Sequence, residues 1–350
     1  MNPDHRVTLT DIAQAMGLTK MSISRALSGG RGVSEATRAA VIAKAEAMGY
    51  VPDPAISTAM ARMRGRRASE QDVIAWLSSH GKVGGWRDNF MISEMYRGAA
   101  EKAERLGYHL EEFCLNEPGM TAKRLGGILH SRAIQGVVLA PLREIGAIEE
   151  LPWQHFAAVS CGHSLVAPRL HRVLADQFQV VQVAWRALIE RGYRRIGLFV
   201  SESDNTRVNN LWLGSLLACQ RTTPEAEAVP PMVTDDWNAA TFMRWFEAHR
   251  PDAVLSYPEI HDWMRAGGVK VPAECGFARL NYNRSDGMAG VDHRFDKLGA
   301  AAVSLVASEI HANQFGVPEV RKSVSMECVW RDGTTTRDVR RKRRPAPTAN

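Results

Sequence analysis

Apolar residues recur at helical spacing in three short segments near the beginning of the chain. Thr8 followed by Asp11 predicts a capping box before the first segment, and Gly17 predicts its left-handed end. Thr19 and Ser34 are suited to cap the second and third helices. Each helix then has one apolar face, formed in turn by Ile12, Ala13 and Met16, by Ile23, Ala26 and Leu27, and by Val41, Ile42, Ala45 and Met48. This pattern predicts a helix-turn-helix.

From Val73 onward, short apolar runs alternate with helical stretches. The predicted strands are VIAWLS at 73, YHLEEFCL at 108, GVVLAP at 136, FAAVS at 156, RIGLFV at 195 and AVLSY at 253. The helical stretches between them include SEMYRGAAEKAERLG, QFQVVQVAWRALIERG and AATFMRWFEAH. The alternation predicts an α/β architecture of parallel sheets covered by helices on both faces. Because this part of the chain is long for one sheet, we expect two α/β lobes.

The second predicted helix has a polar and basic face opposite its apolar one. That face covers an arc of about 140° and carries Lys20, Met21, Ser24 and Arg25. An arginine there can bind guanine O6 and N7 or a phosphate, and a methionine can contact a thymine methyl group. The face therefore predicts a helix that reads the DNA major groove. A small helical bundle with a solvated face is the alternative interpretation.

Residues 7–52 resemble the DNA-binding headpiece of the LacI/GalR family of bacterial transcription regulators. The matching pieces are VTLTDIA, AMGLTK, SISRALSG, VSEATRAAV and GYVP. The resemblance implies that the bases are read by Lys20 and Met21, followed by Ser24 and Arg25. It also implies phosphate contacts near Thr8, Leu9, Ser34, Thr37 and Tyr50. As in the family, we expect a homodimer bound to double-stranded DNA at a near-palindromic operator.

The next segment, DPAISTAMARMRGRR, occupies the place of the family's hinge helix, which inserts apolar side chains into the minor groove. Here Asp53 stands where the family has asparagine, and Ala59 stands where it has the wedge leucine. Either Ile56 or Met60 could replace that leucine. The basic residues Arg62, Arg64, Arg66 and Arg67 could bind flanking phosphates. A solvated linker is the alternative.

The large domain resembles the family's periplasmic-binding-protein-like regulatory domain in three stretches. RGAAEKAERLGYHL matches its first helix and second strand, ALIERGYRRIGLF the opening of its second lobe, and GVDHRFDKLGAAAVSLV the return to the first lobe. The resemblance implies that a small-molecule effector, with a sugar as the expected class, binds between the lobes at the carboxyl ends of the strands.

The family's effector-binding positions match this sequence poorly. The arginine position falls on Arg207 or Asn209, and the Asn-Asp pair is replaced by Pro258 and Glu259. Two aspartate positions fall near Leu280 or Asn281 and on Ser160 or Cys161. The aromatic residues near the predicted strand ends are Trp86, Tyr257 and Phe295, with Trp212 as a further option. Each ring could stack on a sugar, or could instead pack in the core or a dimer interface.

Charge and composition support nucleic-acid binding at one end of the chain. Residues 1–67 carry ten Lys/Arg against five Asp/Glu, and residues 331–350 carry seven against two, although the whole chain is only +6. The middle is therefore net negative, and the basic character is confined to the ends. Five scattered cysteines, no signal peptide and no membrane-length apolar run favour a bacterial cytoplasmic protein.

These observations predict four segments and one function. We expect a headpiece at 1–52, a hinge helix and basic linker at 53–72, a two-lobed effector-binding and dimerisation domain at 73–330, and a basic, disordered tail at 331–350. The predicted function is an effector-modulated transcription repressor. A ligand-independent DNA-binding dimer is the alternative. With no nucleophile elbow, P-loop or zinc-protease motif in the sequence, we expect neither an enzyme nor a bound cofactor or metal.

Overall fold

Two structural units divide the chain, Met1–Glu70 and Gln71–Asn350. A computed structural model describes residues 7–27, 33–48, 50 and 72–340. The described part of the first unit contains three helices, α1 (Leu9–Met16), α2 (Lys20–Leu27) and α3 (Glu35–Ala47). Residues 51–71, which hold the predicted hinge positions Ile56, Ala59 and Met60, lie outside the described residues, as do 341–350.

The caps predicted for the first unit are present. Thr8 and Asp11 form a reciprocal capping box, in which the Asp11 carboxylate accepts a hydrogen bond from the Thr8 backbone N–H at 2.7 Å. Gly17 ends α1 in the left-handed conformation, with φ of 63°. Thr19 Oγ1 accepts from the Ser22 backbone N–H at 3.1 Å, and Ser34 Oγ caps α3. These caps determine where each helix begins and therefore which face it turns inward.

The three helices bury a small apolar core. Ile12, Ile23 and Val41 are fully buried in it. Ile42, which the helical pattern placed on the apolar stripe of α3, is instead 41% exposed. Successive helical residues point about 100° apart. Ile42 therefore lies at the edge of the apolar face of α3, beyond the part that α1 and α2 cover.

The second unit contains strands β1 to β14, arranged in two large sheets and one small one. In chain order they are Asp72–Ser78, Tyr108–Cys114, Gly136–Leu139, Gly146–Ala147, Ala157–Cys161, Leu165–Ala167, His171–Ala175, Ile196–Ser201, Met232–Thr234, Ala253–Ser256, Gly276–Arg279, Gly290–Asp292, Ser323–Met326 and Val329–Arg331. The first sheet has the order β13-β7-β5-β3-β1-β2 and is parallel. The second has the order β14-β12-β11-β10-β8-β9, and its β14 is antiparallel to β12. The small sheet pairs β4 with β6.

Helices cover the sheets of this unit. They are α4 (Phe90–Arg105), α5 (Ala122–Ser131), α6 (Gln177–Glu190), α7 (Glu202–Arg207), α8 (Leu211–Thr222), α9 (Ala239–His249), α10 (Pro258–Ala266) and α11 (Phe295–His311). Side chains alternate between the two faces along a strand. On β1, Trp76 belongs to the core that includes α4 and α11, whereas Leu77 belongs to the core that includes α5. The predicted covering of a parallel sheet on both faces is confirmed for this first lobe.

Between residues 72 and 340, the chain passes from one lobe to the other three times. It leaves the first lobe after β7 and enters α6 of the second, and it returns after β12 through α11. It crosses again between β13 and β14. The first two passages are those that the sequence predicted. The three passages begin at the carboxyl ends of β7, β12 and β13. In each lobe, the edge of the sheet formed by the carboxyl ends of the strands therefore faces the other lobe.

Helices α4 and α11 approach each other closely because two glycines face the opposite backbone. A Cβ atom on Gly98 would lie 1.8 Å from the Asp296 carbonyl oxygen, and one on Gly299 would lie 1.9 Å from the Met95 carbonyl oxygen. Both distances are far below any van der Waals contact. These glycines therefore allow the helix that begins the first lobe and the helix that returns to it to pack together.

The prediction of a disordered tail from residue 331 was wrong for residues 331–340. Thr335 is buried, its carbonyl oxygen accepts from the Phe277 N–H at 2.8 Å, and its hydroxyl accepts from the Ala289 N–H at 3.0 Å. Arg337 donates to two carbonyl oxygens at the end of the α10–β11 connection. The run contains too few apolar residues for a periodic signal, and backbone and guanidinium hydrogen bonds hold it instead.

In the part of the chain that the structure describes, no helix is long and apolar enough to cross a membrane. Each of the five cysteines is a buried free thiol.

Candidate functional sites: a helix-turn-helix surface and an interlobe cavity

Helix α2 presents the face that the sequence assigned to DNA. Lys20, Met21 and Arg25 are exposed and Ser24 is half-buried, with Met21 63% exposed. Ile23 and Ala26, on the opposite side of the helix, are buried against α1 and α3. The four side chains thus lie on the outer surface of the helix-turn-helix, where a base edge or a phosphate could reach them.

The predicted phosphate-contacting residues occupy helix starts and their surroundings. Thr8 and Ser34 are the N-caps of α1 and α3, and Thr37 lies in the first turn of α3. The first backbone N–H groups of a helix attract anions. Leu9 and Tyr50 are partly buried and pack against the headpiece core, so their backbone is fixed there.

A cavity of about 450 Å³ lies between the two lobes of the second unit. Four of the predicted effector residues line it, namely Arg207, Tyr257, Asn281 and Phe295, and so does Trp212. They follow β8, β10, β11 and β12, because the carboxyl ends of these strands meet at the lobe boundary. The first lobe contributes residues that follow β1, β3 and β5.

The other four predicted effector residues lie elsewhere, and we leave them out of the site. Trp86 is buried between Trp76 and Tyr96 and donates its indole N–H to Glu112 at 2.5 Å. Ser160 is buried within β5. Asn209 has a left-handed backbone (φ 59°) in the turn between α7 and α8, and Glu259 is exposed in the first turn of α10.

Arg207 connects the two lobes across the cavity. From α7 of the second lobe, its guanidinium donates to the carbonyl oxygens of Leu142 at 2.9 Å and Arg143 at 2.6 Å, both in the first lobe. A planar guanidinium can hold two acceptors at once, which lysine cannot do with the same geometry. The closed arrangement of the lobes therefore includes a contact made by a residue that lines the cavity.

Three histidines that were not predicted as effector residues also line the cavity: His80, His163 and His293. Burial, and then the positive charges of Arg172 and Arg321, lower the pKa of His163 to about 4. Burial also lowers the pKa of His293 to about 4. Both rings are therefore neutral at neutral pH and act as hydrogen-bonding groups rather than charges.

The partners of two histidines determine which ring nitrogen carries the proton. Arg172 Nη1 lies 3.3 Å from His163 Nδ1, and since arginine only donates, Nδ1 accepts and Nε2 carries the hydrogen. That Nε2–H is buried and has no hydrogen-bond partner among the described residues. His293 Nε2 donates to the Leu280 carbonyl oxygen at 2.7 Å, so its Nδ1 is an acceptor.

Aromatic rings form one wall of the cavity. Trp212 and Tyr257 meet edge to face, with ring centroids 5.9 Å apart, and Trp212 donates to Gln177 Oε1 at 2.9 Å. Burial raises the pKa of Tyr257 well above its ordinary value, so the phenol keeps its proton. The lining thus combines apolar rings with fixed donors and acceptors, as binding sites for small polar molecules do.

Comparison with known proteins finds a family match in the helix-turn-helix and a similar regulator over a longer stretch. Residues 8–53 match the family described as "Bacterial regulatory proteins, lacI family". The HTH-type transcriptional regulator CelR of Thermobifida fusca is 27% identical over 207 residues, which cover 58% of this chain and 58% of CelR. The chain therefore matches less than two thirds of the length of this relative.

Two solved structures share the fold. A transcriptional regulator CelR–cellobiose complex aligns with a TM-score of 0.56 and 20% identity, covering 94% of this chain and 100% of that one. A lac repressor dimer bound to operator and the anti-inducer ONPF aligns with a TM-score of 0.53 and 15% identity, covering 95% and 99%. The helix-turn-helix therefore matches the LacI family model, and the two-lobed α/β unit has the fold of these two solved structures.

Proposed function

We propose that this protein is a sequence-specific DNA-binding transcription regulator, and that it acts as a repressor. The observation that carries this proposal is the outward face of α2, where Lys20, Met21 and Arg25 are exposed on a capped helix-turn-helix. Two chains would pair so that two headpieces reach adjacent half-sites of a near-palindrome. The lac repressor structure with the same fold is itself a dimer on its operator, which supports this arrangement.

The effector in this proposal is a small carbohydrate that binds in the interlobe cavity. Trp212 and Tyr257 offer ring surface, Arg207 and His163 offer donors, and Asp204 offers a carboxylate. The unpartnered Nε2–H of His163 would be satisfied by a ligand hydroxyl oxygen. The structurally similar CelR was solved with cellobiose, which supports a sugar. Effector binding would change the closure of the lobes and thereby the population that binds DNA.

The decisive experiment is a selection of duplexes from random oligonucleotides with the full-length protein, repeated with and without cellobiose and other sugars. Enrichment of a near-palindrome is the expected result, and a sugar should change the recovery of that sequence. Failure to enrich any sequence at low salt would contradict the proposal that the protein binds specific DNA. If a palindrome is enriched but no sugar changes the thermal stability, the ligand-independent dimer becomes the better interpretation.

Arg25→Ala should weaken binding to the selected operator by about 1–3 kcal/mol, because an arginine that grips a guanine supplies two charge-assisted hydrogen bonds. Fluorescence anisotropy with the selected duplex and with a scrambled one measures the change. Lys44→Ala is the matched control, since it removes one exposed positive charge from α3 of the same unit. Equal losses in both variants, or none in Arg25→Ala, would show that Arg25 does not read a base.

Arg207→Met should loosen the closed arrangement of the lobes by about 1–2 kcal/mol, because two hydrogen bonds from a cation to carbonyl oxygens are lost. Hydrogen–deuterium exchange of the full chain should become faster in the peptides that cover residues 140–146. Arg221→Met, an exposed arginine on α8 of the same lobe, serves as the control. Unchanged exchange in those peptides would mean that Arg207 does not hold the lobes together.

A further inference from the structure

Three arginines converge beside the edge strand of the first lobe. Arg172 on β7 lies opposite Ser323 on β13, and its Nε donates to Ser323 Oγ at 2.9 Å. Arg169 and Arg321 lie two residues before these strands, and with Ser323 they line an open groove of about 650 Å³. Arg172 adjoins this groove through its hydrogen bond to Ser323. The cluster is separate from the interlobe cavity, although His163 contacts Arg172 from that side.

Among the residues that the structure describes, no carboxylate forms an ion pair with Arg169, Arg172 or Arg321. Glu319 lines the same groove but forms no ion pair there either. The adjacent Lys322 differs, because its Nζ lies 2.7 Å from Glu309 Oε1. The buried carboxylate of Glu309 thus neutralises the charge of Lys322 and not the charges of the arginines.

The positive charges of the cluster repel one another. Burial, followed by the charges of Arg321 and Arg169, lowers the pKa of Arg172. Burial and the charge of Arg169 also lower the pKa of Arg321. A partly desolvated cationic cluster whose members form no ion pair costs folding free energy. Such an arrangement is typical of a binding site for an anion.

We propose that Arg169, Arg172 and Arg321 form a binding site for a phosphate-bearing small molecule. Guanidinium groups bind phosphate oxygens through paired, charge-assisted hydrogen bonds, and Ser323 and His163 hold the Arg172 side chain in one orientation. The groove has the volume of a small-molecule site. This site would be a second ligand site of the regulatory domain, and it does not depend on which effector fills the interlobe cavity.

The test compares thermal unfolding of the full-length protein in sodium phosphate with that in sodium chloride at equal ionic strength. Saturating phosphate should raise the melting temperature by about 2 °C or more. Arg172→Gln and Arg321→Gln should each reduce this rise and weaken the phosphate affinity about tenfold. Arg221→Gln, at an exposed arginine of the second lobe, should keep the full response.

The melting temperature without phosphate shows whether a variant has lost the phosphate response only because it folds poorly. Without phosphate, Arg321→Gln should melt at or above the wild-type temperature, because it removes repulsion and no ion pair. A wild-type protein that melts equally in phosphate and chloride would overturn the proposal, and so would arginine variants that respond to phosphate as the wild type does. An equal response to malonate would overturn the phosphate class and assign the site to carboxylates.

Discussion

Gly299→Ala should destabilise the first lobe by about 3 kcal/mol or more. The new methyl group would lie 1.9 Å from the Met95 carbonyl oxygen. That oxygen belongs to the backbone, and a methyl group has no alternative rotamer, so neither can move away by a side-chain rotation. Helices α4 and α11 would have to separate, which opens the core they share with β1 and β3. Overpacking of this kind costs about 1–3 kcal/mol where side chains can adjust, and more where backbone meets backbone. Gly98→Ala should behave in the same way, since its Cβ would meet the Asp296 carbonyl oxygen.

Urea unfolding of the full chain, followed by tryptophan fluorescence, measures this loss. Gly127→Ala is the matched control, because Gly127 lies in helix α5 of the same lobe and a Cβ there would meet nothing within 4 Å. That change should be neutral or stabilise by up to about 1 kcal/mol, since alanine favours the helix over glycine. Gly299→Ala and Gly127→Ala with the same midpoint would contradict the close packing of α4 and α11.

The longer strands of the first lobe with apolar runs could be predicted from the sequence, and β7 and the very short strands could not. Trp76 lies in a continuous apolar run, and the prediction of β1 is confirmed. In β7, His171 and Arg172 interrupt the apolar pattern, yet the strand forms because β5 and β13 pair with it on both sides. His171 is buried there, and its Nδ1 accepts from the Lys322 N–H at 3.0 Å. Such strands form because segments distant in sequence pair with them, so the local pattern of apolar residues does not predict them.

The cavity could be predicted in part, because ligand sites collect at the carboxyl ends of parallel strands. Tyr257 directly follows β10, Asn281 lies two residues after the end of β11, and both line the cavity. Trp86 also follows a strand, but the buried Glu112 on the neighbouring strand accepts its indole N–H and keeps it in the core. His163 was not assigned to the site because its role depends on Arg172 on β7, and sequence spacing does not encode the contact between that strand and the loop after β5.

Ile23→Ala should unfold the helix-turn-helix unit and abolish specific DNA binding, while the large unit stays folded. Ile23 is fully buried in a core to which six of the described residues contribute buried side chains. Removing a buried isoleucine side chain costs about 2–5 kcal/mol. A domain of about 60 residues buries too little apolar surface to absorb such a loss. The α2 surface would then no longer be held as a helix against α1 and α3.

Ile42→Ala provides the matched control, since it is the same chemical change on α3 at a residue that is 41% exposed. It should shift stability by less than about 0.5 kcal/mol and leave operator affinity unchanged. Calorimetry of the full chain follows the large unit, and anisotropy with the selected operator follows DNA binding. If Ile23→Ala still binds operator as the wild type does, the core of the helix-turn-helix does not position its reading face. If Ile42→Ala loses as much operator affinity as Ile23→Ala, burial does not determine the loss of DNA binding. The Ile42 side chain then contributes directly in the DNA complex.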